Sequence, residues 1–345
     1  MKAAFLTGLQ QVELLEIPEP VLKDALDVKI RVEAVGICGS DMHYHRSGRI
    51  GAQQVHYPQS VGHECAGTVV EPGPGCERIQ VGQRVAVEPA LSCGHCDQCH
   101  AQRPHTCRNL RFMGCPDQAP GTLAERIVVP EIACHPVPQD MSAALAAVME
   151  PFSIGVYAAN LGQIQPGMSV GILGTGPIGL CILLALQIYP SLTLYATDLY
   201  QERLTMAERF GAHWTGHPTR LDMVSSILEH EPKGLDVVYE CAGEQDTLDQ
   251  AVELLKPGGR LVLVGIPESP RIHFNIDLLR RKELVLQNVR RQNGCMDEAI
   301  HRAQEGHVLL NPLITHTFNL SQVQSAFDLV AHYRDGVIKA VIHLP

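Results

Sequence analysis

Between Ser169 and Val264, short apolar segments alternate with amphipathic ones, and a glycine-rich loop follows the first apolar segment. Apolar strands that alternate with helices are typical of a parallel sheet covered on both faces. The sequence therefore predicts a doubly wound α/β domain. The predicted strands are Ser169–Leu173, Leu192–Thr197, Asp236–Glu240 and Arg260–Val264, and the predicted helices are Pro177–Ile188, Gln201–Phe210 and Thr247–Leu255.

The loop that follows the first predicted strand reads Gly174-Thr175-Gly176-Pro177-Ile178-Gly179, which has the form G-x-G-x-x-G. Gly174 makes a tight turn, Gly176 lets the backbone approach a pyrophosphate, and Gly179 lets helix and strand pack closely. Pro177 and Ile178 open a helix whose N-terminus stabilises phosphate charge. The motif predicts a dinucleotide site, and the alternative is a glycine-rich turn that binds nothing.

Asp198 stands at the end of the second predicted strand, where dinucleotide-binding domains place an acid about 20 residues after the loop. Its carboxylate would accept hydrogen bonds from the ribose hydroxyls and repel a 2′-phosphate, which favours NAD over NADP. Arg203 is expected either to bridge Asp198 or contact the adenine, or to remain a solvated helix charge.

Four cysteines have the spacing C-x2-C-x2-C-x7-C. Thiols at this spacing on a polar, glycine-containing segment can converge on one tetrahedral Zn²⁺, which would tie down a lobe with little apolar material of its own. Two disulfides or four core cysteines are the alternatives, and neither has support elsewhere in the chain. The predicted structural zinc ligands are Cys93, Cys96, Cys99 and Cys107.

The region before residue 150 is rich in short strands, predicted at Val28–Val35, Ala66–Val70 and Arg84–Val87, with Gly and Pro between them. Short strands separated by turns in this way favour a partly open barrel. Two of its loops carry Cys38 and the pair His63 and Glu64. A thiolate, an imidazole and a carboxylate with one open position suit a catalytic zinc, although each residue alone would be an ordinary core or surface residue.

The 345 residues give room for two domains, and the net charge of -10 argues against a nucleic-acid partner. Residues 1–10 lack the features of a signal peptide, and the most apolar run, Leu180–Ile188, is too short to cross a bilayer. We therefore expect a soluble cytoplasmic protein with no membrane partner, whose cysteines are thiols or metal ligands.

Together and in this order, the motifs resemble those of the zinc-dependent medium-chain alcohol dehydrogenases over essentially the whole chain. They are Cys38-Gly39-Ser40-Asp41, Gly62-His63-Glu64-x-x-Gly67, the four cysteines and the Gly174–Gly179 loop. Within this superfamily the chain is most similar to the polyol branch, the sorbitol and xylitol dehydrogenases. That similarity lies in Asp41-Met42-His43-Tyr44, Gly48-Arg49-Ile50-Gly51 and Glu150-Pro151-Phe152-Ser153.

The resemblance implies a Rossmann domain, over about 151–287, inserted into a GroES-like catalytic domain. The catalytic domain would comprise residues 1–150, with the zinc lobe at about 93–107, and residues 288–345, where Val337–Leu344 predicts a strand. The active site is expected in the cleft between the domains. Relatives are usually dimers or tetramers, and we expect a homotetramer.

The resemblance also implies site residues. The catalytic zinc would bind Cys38, His63 and a carboxylate; Glu64 is assigned to the metal, and Glu150 either binds it or acts through the bound water. Tyr44, Glu150 and Arg291 would hold the other polyol hydroxyls, beside an apolar wall at Phe112. Ser40 and His43, close to Cys38, are candidates for a proton relay or for ordinary turn and surface residues. The remaining cysteines, Cys115 among them, lack metal-ligand spacing and are interpreted as small core residues or spectators.

The resulting hypothesis is oxidation of a secondary hydroxyl of a polyol to a ketose, with hydride transfer to NAD⁺ and zinc as Lewis acid. Two zinc ions per subunit are expected. The alternatives are an L-threonine 3-dehydrogenase, a simple secondary-alcohol or vicinal-diol dehydrogenase, and a catalytically idle relative that binds NAD(H). The sequence leaves open which polyol is used and which hydroxyl is oxidised.

Overall fold

A computed structural model of the chain describes residues 1–306 and 308–345. Their contacts divide the chain into two compact units. The first unit comprises Met1–Glu150, Met296–Gln304 and Leu310–Pro345, and the second comprises Pro151–Cys295 and Glu305–Leu309. Residues 288–295, which the sequence analysis assigned to the catalytic domain, group with the second unit.

The first unit is rich in β-structure up to residue 142, as predicted. Its strands are β1 (Lys2–Gly8), β2 (Gln11–Glu16), β3 (Asp27–Gly36), β4 (Arg49–Ile50), β5 (Gln53–Gln54), β6 (Gln59–Ser60), β7 (Glu64–Pro72), β8 (Arg84–Val87), β9 (Ala90–Leu91), β10 (Arg111–Phe112), β11 (Arg126–Pro130) and β12 (Cys134–Pro136). Its helices are α1 (Gly39–Ser47) and α2 (Asp97–His100), with 3-10 turns at Pro104–Thr106 and Glu131–Ala133.

The second unit begins at Pro151, within α3 (Ala143–Leu161). Proline has no backbone N–H to donate, but the helix continues through it. Strands and helices then alternate: β13 (Ser169–Leu173), α4 (Pro177–Leu186), β14 (Thr193–Thr197), α5 (Gln201–Arg209), β15 (Trp214–Gly216), α6 (Met223–His230), β16 (Leu235–Glu240), α7 (Gln245–Leu254), β17 (Leu255–Leu263), α8 (Ile276–Lys282) and β18 (Val285–Asn288). The strand order is β15-β14-β13-β16-β17-β18, with every pair parallel. This is the Rossmann order, and the predicted fold class is confirmed.

The chain returns to the first unit through α9 (Met296–Gln304), β19 (Ile314–Asn319), α10 (Val323–Ala331) and β20 (Lys339–His343). Further 3-10 turns lie at Asn311–Leu313, Leu320–Gln322 and Arg334–Gly336. The main sheet has the order β12-β8-β7-β3-β20-β19, and β11 also pairs with β3. β3 therefore lies at the centre of the sheet, next to β7 on one side and β20 on the other.

The burial pattern of β3 explains its central position in the sheet. Val28, Ile30 and Val32 alternate along β3 with less buried residues, as expected when one face of a sheet covers a core. The antiparallel register sets Gly36 of β3 opposite Glu64 of β7 and opposite Val341 of β20. The ends of three strands that are far apart in sequence thus meet at one place.

The bounds of the strands were predicted more accurately than those of the helices. Ser169–Leu173 and Arg84–Val87 have the predicted bounds, whereas α4 ends at Leu186, before the predicted end at Ile188. Leu255, predicted as the end of a helix, begins β17. Neither α1 nor α3 was predicted. Among the described residues, α3 is the one helix long and apolar enough to cross a membrane, but 72% of the 18-residue window that meets this test is buried inside the protein, as in a core helix.

Candidate active site and metal centres

The end of β3 and the start of β7 bring together three metal-ligating side chains. Cys38 follows β3, and His63 and Glu64 lie where β7 begins. The ligating atoms of these three residues lie within 4.8 Å of one another. A Cβ atom on Gly36 would lie 2.1 Å from a Glu64 carboxylate oxygen, so glycine is required there for the carboxylate to approach. The structure therefore brings together the predicted catalytic ligands.

Two residues of α1 surround the His63 ring. The Nδ1 atom of His63 lies 3.6 Å from a carboxylate oxygen of Asp41, and its Nε2 atom lies 3.4 Å from the Ser40 hydroxyl. Asp41 itself accepts hydrogen bonds from the backbone N–H groups of Cys38 and Gly62. A carboxylate next to a ligating histidine fixes its ring orientation and raises its basicity. Asp41 is thus placed to orient His63 as a metal ligand.

Lys339, at the start of β20, is buried beside Glu64. Its ammonium group donates to both carboxylate oxygens of Glu64, at 2.6 and 2.8 Å, and to the carbonyl of Ile37, at 3.1 Å. Both side chains are nearly inaccessible, with 3% and 1% of their surfaces exposed. A charge this deeply buried requires a partner, and Glu64 provides it. Lys339 therefore joins Glu64 to the segment that leads into Cys38.

The first unit also buries Glu150 and Asp41, so this centre contains three carboxyl groups, the Cys38 thiol and one lysine. Burial, and after it the negative charge of Glu64, raises the pKa of Cys38 to about 12. Burial likewise raises the pKa of Glu150 well above its usual value and raises that of Asp41. One lysine cannot balance the ionised forms of these groups. A divalent cation at Cys38, His63 and Glu64 would supply the missing positive charge, so these residues fit a zinc ion.

We call this set, Cys38, Asp41, His63, Glu64, Glu150 and Lys339, the Cys38 centre. Glu150 lies near enough to His63, Glu64 and Cys38 for each of their charges to act on its pKa. Glu64 lies in the ligand cluster but is also held by Lys339. The structure therefore places both candidate carboxylates at the centre.

The four cysteines predicted to bind structural zinc converge on one another. Their neighbouring Sγ atoms are separated by 3.4 Å (Cys93 and Cys107), 3.6 Å (Cys96 and Cys99), 3.8 Å (Cys96 and Cys107) and 4.0 Å (Cys93 and Cys99). Four sulfurs about 2.3 Å from a tetrahedral zinc would be about 3.8 Å apart, whereas a disulfide requires about 2.05 Å. The separations fit a zinc site and not the disulfide alternative.

Backbone groups prepare this lobe, residues 93–107, for thiolates. The backbone N–H of His95 lowers the pKa of Cys93 to about 6, and that of Arg108 lowers the pKa of Cys96. Arg108 also forms a two-point ion pair with Asp97, at 2.5 and 2.8 Å. Burial raises the pKa of Cys107 to about 11, so backbone groups favour the thiolate, the form that binds zinc, at Cys93 and Cys96 but not at Cys107.

In the second unit, the glycine loop connects β13 to α4 as predicted. Gly174 has φ +94°, and a Cβ atom there would lie 2.9 Å from the Ala242 backbone nitrogen. A Cβ atom on Gly179 would lie 2.1 Å from the Gly174 carbonyl oxygen, whereas one on Gly176 would meet only the Arg203 guanidinium, at 3.7 Å. The first and third glycines allow close packing, and Gly176 leaves space at the start of α4. The loop thus fits a dinucleotide phosphate.

Asp198 follows β14 and anchors this loop. Its carboxylate accepts hydrogen bonds from the backbone N–H groups of Thr175, at 2.8 Å, and Tyr200, at 3.0 Å. The Arg203 guanidinium lies 3.5 Å from the same carboxylate and 4.7 Å above the centre of the Tyr200 ring. Arg203 therefore bridges Asp198, which was one of the two roles predicted for it.

Comparison with known proteins assigns the family. The alcohol dehydrogenase GroES-like domain matches residues 24–139, and the zinc-binding dehydrogenase domain matches residues 177–305. Sorbitol dehydrogenase from Bacillus subtilis (strain 168) is 32% identical over 344 residues, which cover 99% of this chain and 97% of that protein. The chain belongs to the zinc-dependent medium-chain alcohol dehydrogenases, in their polyol branch. This zinc-dependent dehydrogenase is also 32% identical to L-idonate 5-dehydrogenase from Vitis vinifera, over 99% of the chain and 94% of that protein.

Solved structures agree with this assignment. An Escherichia coli oxidoreductase of unknown specificity matches this dehydrogenase with a TM-score of 0.93 and 31% identity, over 100% of this chain and 99% of that one. A zinc-binding dehydrogenase from Sinorhizobium meliloti 1021 bound to NADP has a TM-score of 0.89 and 29% identity, over 99% and 98%. An Escherichia coli CFT073 alcohol dehydrogenase complexed with NADH has a TM-score of 0.90 and 30% identity, over 99% of each chain. Zinc and a nicotinamide cofactor are the cofactors of this family.

The remaining predicted site residues of the dehydrogenase lie in both units. The Phe112 ring lies 5.1 Å from the His63 ring, measured between centroids. Tyr44 is buried on α1 and donates a hydrogen bond to Gln53, and His43 is half-buried on the same helix. Arg291 is half-buried in the second unit, with φ +54°.

Sequence reasoning missed two residues that this dehydrogenase places at the Cys38 centre. Asp41 was noted only as part of a family motif, although a buried acid near a histidine is a recognisable signal. Lys339 was read as part of an apolar strand, although a lysine within Val337–Leu344 is itself unusual, because lysine is rarely buried without a partner.

Proposed function

We propose that this dehydrogenase oxidises a secondary hydroxyl of a polyol to a ketose, transferring hydride to NAD⁺. The observation that carries the proposal is the buried excess of acidic groups beside Cys38 and His63, which fits a Lewis-acidic zinc ion. The named relatives that act on sorbitol and on L-idonate favour a polyhydroxylated substrate. When bound, zinc would lower the pKa of the reacting hydroxyl, as it does for bound water.

The chain's own residues would move the proton. Ser40 lies 3.4 Å from the His63 ring, and His43 follows it by three residues on α1, a spacing that puts both on one helix face. We assign the proton that leaves the substrate hydroxyl to Ser40 first and to His43 next. Glu150, a buried carboxyl group with a raised pKa, would hold a water or a substrate hydroxyl at the centre.

Asp198 would select NAD⁺ over NADP⁺. Its buried carboxylate lies at the end of β14, where it would repel a 2′-phosphate, although Arg203 offsets part of its charge. We expect kcat/KM to be higher for NAD⁺ than for NADP⁺, and Asp198→Ala to reduce that preference. Asp222→Ala, a change on the surface of the same unit, is the control. Equal turnover of the wild type with NADP⁺ and NAD⁺ would contradict the assignment.

Arg291 would bind a further hydroxyl of the polyol. We expect Arg291→Ala to lower kcat/KM for a polyol while sparing 2-butanol, and the neighbouring, exposed Arg290→Ala to change neither. Equal losses for both substrates would indicate a general structural role for Arg291.

The function itself is tested with metal-analysed protein and a panel of sorbitol, xylitol, L-threonine and 2-butanol, following the absorbance of NADH. Polyol turnover that a chelator abolishes, in protein with two zinc ions per subunit, is the expected result. Turnover with L-threonine alone would mean that the substrate is an amino acid and not a polyol. Absence of turnover with both zinc ions bound would favour an idle NAD(H)-binding relative.

We further propose that the protein works in the cytoplasm as a homotetramer. The support is family membership and the motifs above. Light scattering during gel filtration measures the assembly directly, and a monomer would contradict it.

A further inference from the structure

The last residue of β16, Glu240, has a carboxyl group buried inside the second unit, with 1% of the residue exposed. One of its oxygens accepts three hydrogen bonds. The backbone N–H groups of Ala242 and Gly243 donate over 2.8 and 2.7 Å, and the Thr247 hydroxyl donates over 2.8 Å. All three donors are uncharged. Glutamate is rarely buried so completely, and the sequence analysis treated Glu240 only as the end of a strand.

Glu240 lies where three neighbouring strands end. The parallel register places it opposite Leu173 of β13 on one side and opposite Leu263 of β17 on the other. Leu173 leads directly into the glycine loop. In open parallel sheets, ligands bind at the carboxyl ends of the strands. The buried carboxyl group therefore lies at the edge of the sheet that carries the dinucleotide loop.

The loops that follow these three strands pack backbone against backbone. A Cβ atom on Gly174 would lie 2.9 Å from the Ala242 nitrogen, and one on Gly265 would lie 2.3 Å from the Gly243 nitrogen. The same Cβ atom on Gly265 would lie 2.8 Å from the second carboxylate oxygen of Glu240. The loop after β16 thus contacts both the glycine loop and the loop after β17, and Glu240 binds its two backbone N–H groups.

The carboxyl group and this loop stabilise each other. Burial raises the pKa of Glu240, while the hydrogen bonds from Thr247, Gly243 and Ala242 act to lower it. A buried carboxylate is costly unless hydrogen bonds replace the water that it loses. The Gly243 N–H is likewise buried and needs an acceptor. Loss of the carboxyl group would therefore leave the loop without the acceptor that fixes it.

We propose that Glu240 is a positioning residue for the cofactor: it fixes the loop after β16 against Gly174, so that the dinucleotide loop is formed before the cofactor binds. The inference rests on the nicotinamide cofactor of the proposed function and not on its substrate. A loop that is already ordered loses less conformational entropy on binding, so its affinity for the cofactor is higher. Glu240 acts through the loop and does not need to touch the cofactor.

The first test removes the acceptor and measures binding of NADH without turnover. We expect Glu240→Leu to raise the Kd for NADH roughly tenfold, the cost of ordering about one further backbone residue. Glu240→Gln keeps an acceptor oxygen of the same reach and should bind NADH nearly as tightly as the wild type. Calorimetric titration gives the Kd, and thermal midpoints show that each variant is folded at the temperature of the titration.

A carboxylate at the opposite end of the same strand is the matched control. Asp236 accepts a hydrogen bond from the Ser169 backbone N–H over 2.8 Å and pairs with Lys256. Asp236→Leu should lower the thermal midpoint but leave the Kd for NADH unchanged, because it lies away from the loops. Equal losses of NADH affinity in Asp236→Leu and Glu240→Leu would reduce Glu240 to a general structural residue and overturn the inference.

A milder variant tests the same contact from the donor side. Thr247→Val removes the hydroxyl donor from a half-buried position and should raise the Kd about two- to threefold, with no further rise in a Glu240→Leu background. An unchanged Kd in Glu240→Leu, or in Thr247→Val should Glu240→Leu not fold, would overturn the inference. Wild-type protein that binds NADPH and not NADH would instead overturn the proposed choice of NAD, and the same variants titrated with NADPH would then decide the role of Glu240.

Discussion

The lobe and the Cys38 centre both gather thiols and other metal-ligating groups, but the chain builds them differently. The lobe takes its four sulfurs from residues 93–107, and three of them are partly exposed. The Cys38 centre takes its groups from the ends of β3, β7 and β20, with Glu150 from α3, and buries its charged side chains. One site depends on local spacing and the other on strand register.

The pKa values of the cysteines also differ between the two sites. In the lobe, a backbone N–H group lowers the pKa of Cys93 to about 6, so the thiolate forms readily. At the Cys38 centre, burial raises the pKa of Cys38 to about 12, so its thiolate depends on nearby positive charge. The comparison shows that local backbone groups can favour the thiolate at Cys93 and Cys96, whereas the buried Cys38 centre needs tertiary partners such as Lys339.

The largest effect is expected on catalysis at the Cys38 centre. Cys38→Ser should lower kcat by roughly 10³-fold or more, because the Lewis acid contributes several kcal/mol to the transition state. The thermal midpoint should fall as well, because without the cation the buried acidic groups of the centre have Lys339 alone to balance them. Steady-state kinetics and calorimetry measure the two effects. Cys76→Ser, a partly exposed thiol of the same unit, is the control and should retain activity.

In the lobe, the main effect is expected on stability. Cys96→Ser should lower the thermal midpoint by about 10 °C or more, because structural zinc contributes folding energy directly and 1 kcal/mol moves the midpoint of a large domain by about 2–4 °C. The zinc content should fall from two ions to one. A variant that lost activity at an unchanged midpoint would show that the two sites are not as separate as the structure indicates.

Lys339 tests the tertiary contribution at the Cys38 centre. Lys339→Met leaves Glu64 buried without its cation, and removing one partner of a buried ion pair costs about 3–5 kcal/mol. Lys256→Met, which breaks a more exposed ion pair with Asp236, should cost less than about 1 kcal/mol. Urea titration of both variants gives the comparison. Equal costs would mean that burial does not strengthen the dependence of Glu64 on its partner.

The smallest effect is expected from the ion pair on the lobe. Arg108 and Asp97 are 68% and 52% exposed at their side chains. Arg108→Ala should leave the thermal midpoint within about 2 °C of the wild type, because water and salt screen exposed pairs. Repeating the melt at about 0.5 M NaCl should remove whatever difference remains. A large, salt-independent loss would show that this pair supports the cysteines directly.

Prediction from sequence succeeded where information is local. The four cysteines could be grouped from their spacing, the glycine loop from its place after an apolar strand, and most strands of the second unit from their composition. It failed where tertiary contacts override local pattern. α3 runs through Pro151 even though proline usually ends a helix, and residues 288–295 group with the second unit.

The site residues divide in the same way. Cys38, His63, Glu64 and Asp198 could be named from motifs, because each stands at a strand end within a recognisable pattern. The sequence determined the fold class, the family and these residues. The tertiary structure alone placed Lys339 on Glu64, Asp41 beside His63, and Gln53 beside Tyr44. No local pattern encodes those contacts, since they depend on which strands and turns become neighbours when the sheet forms.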